Sequence, residues 1–410
     1  MTEQHNPLQS LREGRWFKLI CGASFQHLPA IRNLTLAYTL AGADCIDVAA
    51  DPAVIVATKE ALDAAIYVGE THRLKRLLPI SSPLLMVSLN DSEDPHFRKA
   101  EFNAVDCPPD CARPCEAICP ANAIALSGVI ADRCYGCGRC LPVCPVQQIS
   151  TRSYVATPHA IAPLILDAGV DAIEIHTQPG RLEDFRRLWA AIKPWVERLK
   201  LLAISCPDGK NLIQYLQALY DTIAPLPCPL IWQTDGRPMS GDIGTGTTKA
   251  AIKLGQKVLE ARLPGYVQLA GGTNHYTVPK LRSLGLLKSH ELFTKETHQS
   301  PPSANSKPLY IAGVAYGSYA RVLLAPILEQ LETPCARKAP ISTPPCSLST
   351  VVEQLPPTQL PQSAKLEDAP ELLQEAVNLA LSLVSQLKPS TNTMQIPPPI
   401  YLSQLSQHSS

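Results

Sequence analysis

The chain has 410 residues, and its 36 Lys plus Arg balance 36 Asp plus Glu, so the formal net charge is zero. No lysine- or arginine-rich block stands out, which argues against a binder of nucleic acid or anionic membrane, and no apolar run reaches the length of a membrane span. The opening MTEQHNPLQSLREG lacks the apolar centre of a secretory signal, so a cytoplasmic protein is expected, whose 14 cysteines read as metal ligands or free thiols rather than disulfides.

In chain order, short apolar runs of β character alternate with helix-length stretches, the pattern of parallel βα units. Three strands are expected first, at Phe17–Cys21, Asp44–Ala49 and Leu84–Leu89, with helices over Ile31–Leu40 and Ala53–Tyr67 between them. Cys21 and Cys45 in these runs, like Cys206 and Cys228 further on, have no ligand spacing and read as buried thiols.

The pattern then breaks for eight cysteines. One run is Cys107-x3-Cys111-x3-Cys115-x3-Cys119-Pro120, and the other is Cys134-x2-Cys137-x2-Cys140-x3-Cys144-Pro145. Thiolates two or three residues apart on a tight loop can converge on the irons of one cubane, and a cysteine before proline points to a second cluster. The two runs are an internal repeat, with Cys119-Pro-Ala-Asn-Ala-Ile124 echoed by Cys144-Pro-Val-Gln-Gln-Ile149. Zinc sites usually offer separated cysteine pairs and close on four ligands, which this density fits poorly. The second run resembles the bacterial ferredoxins in spacing. By that resemblance Cys107, Cys111, Cys115 and Cys144 would hold one cluster, and Cys119, Cys134, Cys137 and Cys140 the other. Two [4Fe–4S] clusters are expected. The wider spacing of the first run leaves [3Fe–4S] open for one of them.

Five more strands follow at Asp171–His176, Leu201–Ser205, Leu230–Thr234, Tyr266–Ala270 and Leu309–Val314, with helices over Leu182–Leu199 and Thr247–Ala261. Eight βα units in this length predict an α/β fold of TIM-barrel type, a (β/α)8 body with an inserted two-cluster module; an open doubly wound parallel sheet is the alternative. Residues 15–100 would supply the first βα units, 101–150 the ferredoxin-like insertion, and 151–332 the remaining units. The loop leaving the third strand would bring the clusters to the C-terminal face, where barrel sites lie.

At that face Glu174 and His176, two apart on a strand, would share one side and could do acid–base work. Gly271, Gly272, Thr273 and Asn274 after the seventh strand, and Gly317 and Ser318 after the eighth, are the candidate residues for a phosphate group, that of FMN above all; turn-forming glycines are the plainer account. The segment Gly241–Lys249 could meet an anion at a helix N-terminus, although Thr247 or Thr248 as a simple N-cap explains it as well. Neither a radical-type C-x3-C-x2-C triplet nor a G-x-S-x-G elbow occurs, and no catalytic residue is assigned.

Residues 333–410 change character. Thr333–Ala364 is rich in proline, serine and threonine and reads as a linker. Lys365–Leu387 then carries Ala369, Leu372, Leu373, Ala376, Ala380, Leu383 and Leu387 at helical spacing. This amphipathic helix would either dock on its own barrel or be presented on a tether to a partner.

Several segments, KLICGASFQHLPAIRNL, AGADCIDVAADPAVI, CARPCEAICPANAI with RCYGCGRCLPVCPVQQI, QLAGGTNHYT and IAGVAYGSYAR, give the chain a family resemblance over about residues 15–330. It resembles the light-dependent-period (LdpA) family of cyanobacteria. The resemblance implies an iron–sulfur protein that reports cellular redox and light state to the circadian clock input, by contact with a clock-input histidine kinase or other clock proteins. On that reading the chain is a redox-sensing regulator rather than an enzyme. The residues alone also admit a flavin-dependent oxidoreductase, with clusters relaying electrons from a small redox molecule or other donor to a barrel-bound FMN.

Overall fold

A computed structural model describes residues 6–21, 27–71, 82–91, 98–119, 123–130, 134, 140–153, 167–237, 246–288, 309–332 and 365–388. Eight parallel strands close into a barrel: β1 (Trp16–Ile20), β2 (Cys45–Ala49), β3 (Leu84–Asn90), β8 (Ala172–His176), β9 (Leu201–Pro207), β10 (Leu230–Asp235), β11 (Tyr266–Ala270) and β12 (Gly313–Tyr316). Four shorter strands, β4–β7, lie between β3 and β8 and are described below. Each barrel strand pairs in parallel with its neighbour, and the ring closes where β1 meets β12, with Trp16 opposite Gly313 and Lys18 opposite Ala315. That closing pair excludes the open sheet.

The strands form because their residues suit burial on both faces. Outward-facing Phe17, Ile46, Val48, Val87, Ile173, Ile175, Leu202, Ile204 and Leu269 join the large core beneath the surrounding helices. These include α2 (Leu28–Leu40), α3 (Pro52–Thr71), α5 (Leu182–Ile192), α6 (Leu212–Ile223), α7 (Thr247–Glu260), α8 (Thr277–Ser283) and α9 (Ser318–Glu332). Inward-facing Trp16, Cys45, Leu84, Met86, Ala172, Leu201, Ala203 and Ile231 make a separate apolar plug, met by Leu11 of the short helix α1 (Pro7–Arg12). The barrel is therefore filled rather than hollow.

Two of the boundaries that differ from the sequence reading have an identifiable cause. The stretch 182–199 stays α-helical only to Ile192 and continues as a 3-10 turn over Lys193–Arg198, because Pro194 has no N–H to carry on the α ladder. The last strand starts at Gly313 instead of Leu309. A Cβ there would fall 2.3 Å from the Trp16 carbonyl oxygen, so only glycine lets β12 approach β1 this closely.

The C-terminal segment packs on its own barrel; it is not held out for a partner. After a 3-10 turn at Leu366–Asp368, α10 (Pro370–Val384) lies against α2 and α9, the helices that follow β1 and β12, and so straps the seam where the barrel closes. Leu373, Ala376, Val377, Ala380, Leu383, Val384 and Leu387 are buried there. Polar contacts hold both ends: Arg32 Nη1 donates to Glu367 Oε2 at 2.8 Å, Asn33 Oδ1 accepts from the Leu366 amide at 3.1 Å, and Lys388 Nζ reaches Asp44 Oδ2 at 2.5 Å. The linker Thr333–Ala364 lies outside the described residues.

Candidate iron–sulfur site and barrel mouth

The cysteine segment leaves the C-terminal end of β3 and returns at β8. Its two legs, β4 (Arg98–Glu101) and β7 (Ser150–Ser153), pair antiparallel, and a small hairpin of β5 (Ile124–Ala125) and β6 (Gly128–Val129) sits above them. One turn of helix, α4 (Pro114–Ala117), carries Cys115. Ala100, Cys115, Ala123, Ile124, Cys134, Cys140 and Ile149 form a small core; Ile124 and Ile149, the echoed positions of the repeat, are both in it.

Cys107, Cys111, Cys115 and Cys144 line one small pocket that opens to solvent, together with Phe102, Ile149 and Val146. Backbone amides address the sulfurs. Arg113 N donates to Cys111 Sγ and Gln148 N to Cys144 Sγ, both at 3.4 Å, and Ala123 N reaches Cys119 Sγ at 3.2 Å. Arg113 and Gln147 take left-handed conformations beside two of these contacts, a cost of about 1–3 kcal/mol each that non-glycine residues bear where a turn must be aimed. Arg113 is held in that conformation by bonds to Glu116 Oε1 at 2.5 Å and to the Ala125 carbonyl at 2.7 Å. Partial burial works against the Cys144 thiolate, but the surrounding amides of Gln148, Ile149, Val146 and Gln147 outweigh it and hold the thiol below its ordinary pKa. Burial pushes the Cys115 thiol up instead.

This donor set fits an iron–sulfur cluster. Four thiols line one pocket beside Phe102 and Ile149, and two of them, Cys111 and Cys144, receive backbone N–H donors, which is how proteins stabilise thiolates around iron and sulfide. Among the described residues no group of three or more Cys, His, Asp or Glu side chains is placed to hold a single metal ion. Of the other expected set, Cys134 and Cys140 belong to the small core and Cys119 packs against it, with Ala100 N donating to Cys134 Sγ at 3.4 Å; Cys137 lies outside the described residues. The residue before Ala100 ties the module to the barrel, since Lys99 Nζ lies 3.4 Å from Asp51 Oδ2, just beyond the end of β2.

The barrel interior holds a second polar centre. Lys18 on β1 is fully buried between Asp47 on β2, at 3.2 Å, and Glu174 on β8. Ser88 donates to Asp47 at 2.8 Å, and Gln233 to Glu174 at 2.7 Å. Gln268 donates to Gln233 at 2.6 Å and accepts from the Trp16 indole at 2.6 Å. His176, with a side chain 29% exposed, sits 3.2 Å from Glu174, and Ser205 bonds Asp235 beside them. Burial alone would lower the Lys18 pKa, but the two carboxylates outweigh it and raise the ammonium above its ordinary range. Burial, reinforced by Glu174, pushes Asp47 up to about 6 against the pull of Lys18, and burial also raises Asp235. The sequence reading named Glu174 and His176, which do meet, and missed Lys18 and Asp47. The available signal was a lone charge inside each of the apolar strands WFKLI and CIDVA, in inward phase.

The glycine-rich loops sit at the ends of β11 and β12, and their polar groups are engaged internally. Gly271 and Gly272 have positive φ, and a Cβ on Gly271 would fall 2.8 Å from the Arg237 amide nitrogen. Thr273 donates to the Ala315 carbonyl at 2.6 Å, Asn274 Oδ1 accepts from Thr248 at 2.9 Å, and Ser318 accepts from Arg321 at 3.0 Å. Gly317 stands 3.6 Å from the Arg321 guanidinium by the same Cβ measure. Neither Thr247 nor Thr248 caps α7. Gly246 is the N-cap and has no side chain to make a capping bond, and the Thr248 hydroxyl donates to Asn274. Residues 241–245 of the anion-loop candidate lie outside the described residues.

Residues 107–155 match the model of the LdpA Fe-S cluster-binding domain, and residues 164–386 that of the light dependent period A C-terminal domain. The second match runs through α10, beyond the limit near residue 330 read from sequence. A relative in Synechococcus elongatus, "Light dependent period A", is 45% identical over 382 residues, covering 93% of this chain and 94% of its own. Among solved structures, the tryptophan synthase alpha chain of Legionella pneumophila covers 95% of this chain and 99% of its own at 9% identity, with a TM-score of 0.40. A tryptophan synthase of Mycobacterium tuberculosis covers 92% and 96% at 12% identity, with a TM-score of 0.37. The barrel stands on its own strand pairing and borrows nothing from these two. No described helix is long and apolar enough to cross a membrane.

Proposed function

Because this chain belongs to the light dependent period A family, as its relative and both domain matches show, we propose that it is an iron–sulfur redox sensor that reports cellular redox and light state to the circadian clock input through protein–protein contact. The observation that carries the reading is the ring of Cys107, Cys111, Cys115 and Cys144 around one cavity, inside the segment matched by the cluster-binding domain. Eight cysteines in two runs support two clusters of the [4Fe–4S] type. A bound cluster supplies one-electron exchange. The protein's part is to hold the thiolates, aim N–H donors at them, and exclude water with Phe102 and Ile149, all of which set the potential.

Sensing requires that a partner, here a clock-input histidine kinase or another clock protein, prefer one redox state. A tenfold preference corresponds to about 1.4 kcal/mol and to a potential shift of about 59 mV for one electron. The buried Lys18–Asp47–Glu174 centre with half-exposed His176 supports a second reading, a flavin-dependent oxidoreductase. One experiment separates the two. Anaerobic purification, iron and sulfide assay, flavin extraction and an EPR-monitored redox titration should give about eight irons, no flavin, and a potential that moves when the partner is added. Stoichiometric FMN reduced through the clusters would replace the sensor with the enzyme, and a potential indifferent to every clock protein would remove the contact mechanism.

A further inference from the structure

Close to the ligand cysteines of the Cys107–Cys144 cavity two apolar side chains are exposed. Val105 is 87% exposed, on the 3-10 turn Ala104–Asp106 that leads into Cys107. Val146, 47% exposed, lines the cavity just past Cys144. The two segments are fastened together, since the Gln148 side chain donates to the Asn103 carbonyl at 2.9 Å. Neither valine belongs to the small core, so both leave apolar surface beside the redox site for a contact.

The rim is acidic. Asp106 and Asp110 are exposed next to Cys107 and Cys111, and among the described residues neither has an ion-pair partner. Among the described residues Arg113 is the only basic side chain lining the cavity, and Glu116 neutralises it. A second copy of this chain would set these aspartates against their own equivalents, so self-association at this face is opposed. A partner with a lysine or arginine rim would be steered to it, and contacts of this sort are small, short-lived and salt-sensitive.

We infer that this face is the docking surface for a soluble one-electron carrier protein whose own contact patch is apolar with a basic rim. The inference rests on the redox reading above and names where that site exchanges electrons. One electron crosses per contact, the carrier being oxidised and this chain reduced, or the reverse, and no bond or proton moves. Val105 and Val146 supply the anchor, Asp106 and Asp110 the steering.

The test uses the full chain, loaded with iron and sulfide, and a lysine-rimmed c-type cytochrome as probe, with an acidic plant-type ferredoxin as control. Binding is measured at low and high salt, and carbodiimide cross-links are mapped to residues. The cytochrome should bind and the ferredoxin should not, with cross-links at Asp106 and Asp110. Asp106→Asn with Asp110→Asn should weaken binding about tenfold at low salt and flatten its salt dependence, and Val105→Ser with Val146→Ser should weaken it about tenfold at either salt. All four positions are exposed, and unchanged iron content verifies the fold of each variant. Equal binding of both carriers, cross-links elsewhere, or wild-type affinity in the aspartate variant would overturn the inference while leaving the cluster reading intact. A chain that takes up no iron and sulfide would overturn both.

Discussion

The cysteine module and the barrel it interrupts hold themselves together by different means. In the module, three of the seven buried core residues, Cys115, Cys134 and Cys140, are themselves expected ligands, so packing and metal binding use the same side chains. The barrel has a broad apolar layer under its helices and an apolar plug at one end, and holds Lys18, Asp47 and Glu174 together in one buried network. The contrast teaches that the module's order should depend on iron, whereas the barrel's should depend on charge balance. A small core that cannot bury enough apolar surface leans on its metal, and a large one does not.

Iron removal is the sharpest way to break that contrast. Chelation under reducing conditions should raise amide hydrogen exchange across residues 98–153 more than tenfold while β1–β3 and β8–β12 keep their protection, as followed by exchange mass spectrometry. Barrel strands losing protection together with the module would mean that the two fold as one unit.

Next in size is the charge network. Lys18→Met leaves Asp47 and Glu174 buried without their cation and should cost about 3–5 kcal/mol in urea denaturation. Converting both carboxylates to apolar residues in the same variant should recover most of the loss. Failure of that rescue would show that the network does more than balance itself.

The same network sets a pH dependence of smaller size. Asp47 titrates near 6 in the folded chain and near 3.8 when unfolded, so between these values the folded state binds the extra proton. Its contribution to stability is therefore largest below about pH 4 and is lost as pH rises to about 6. Wild-type stability measured relative to Asp47→Asn should decline across that window and stay level above it; a rise would reverse the assigned direction. Smallest is the joint between the two regions. Lys99→Gln, which removes the contact to Asp51, should cost about 1 kcal/mol or less in denaturant titration, yet raise exchange at the Ala100 amide that addresses Cys134.

The parts legible in sequence were those built from near neighbours. Both cysteine runs, the echo of Ile124 in Ile149, and seven of the eight strand positions to within a residue or two follow from spacing and period, because cluster ligands share a loop and a strand announces its burial in its own composition. The glycine-rich loops were visible as loops, but the engagement of Thr273 with Ala315 and of Asn274 with Thr248 was not, since those partners lie 42 and 26 residues away.

What the chain settled alone is thus its alphabet of local pieces: eight apolar strands, the cysteine repeat and an amphipathic last helix. Only the tertiary structure decided that the sheet closes β1 on β12, that the last helix straps this seam, and that Lys18 meets Asp47 and Glu174, 29 and 156 residues distant. The reason is physical. Strand periodicity fixes which side chains point inward, but which of them become neighbours depends on the order and closure of the strands, and burial turns isolated polar residues into one network only after the barrel has brought them together.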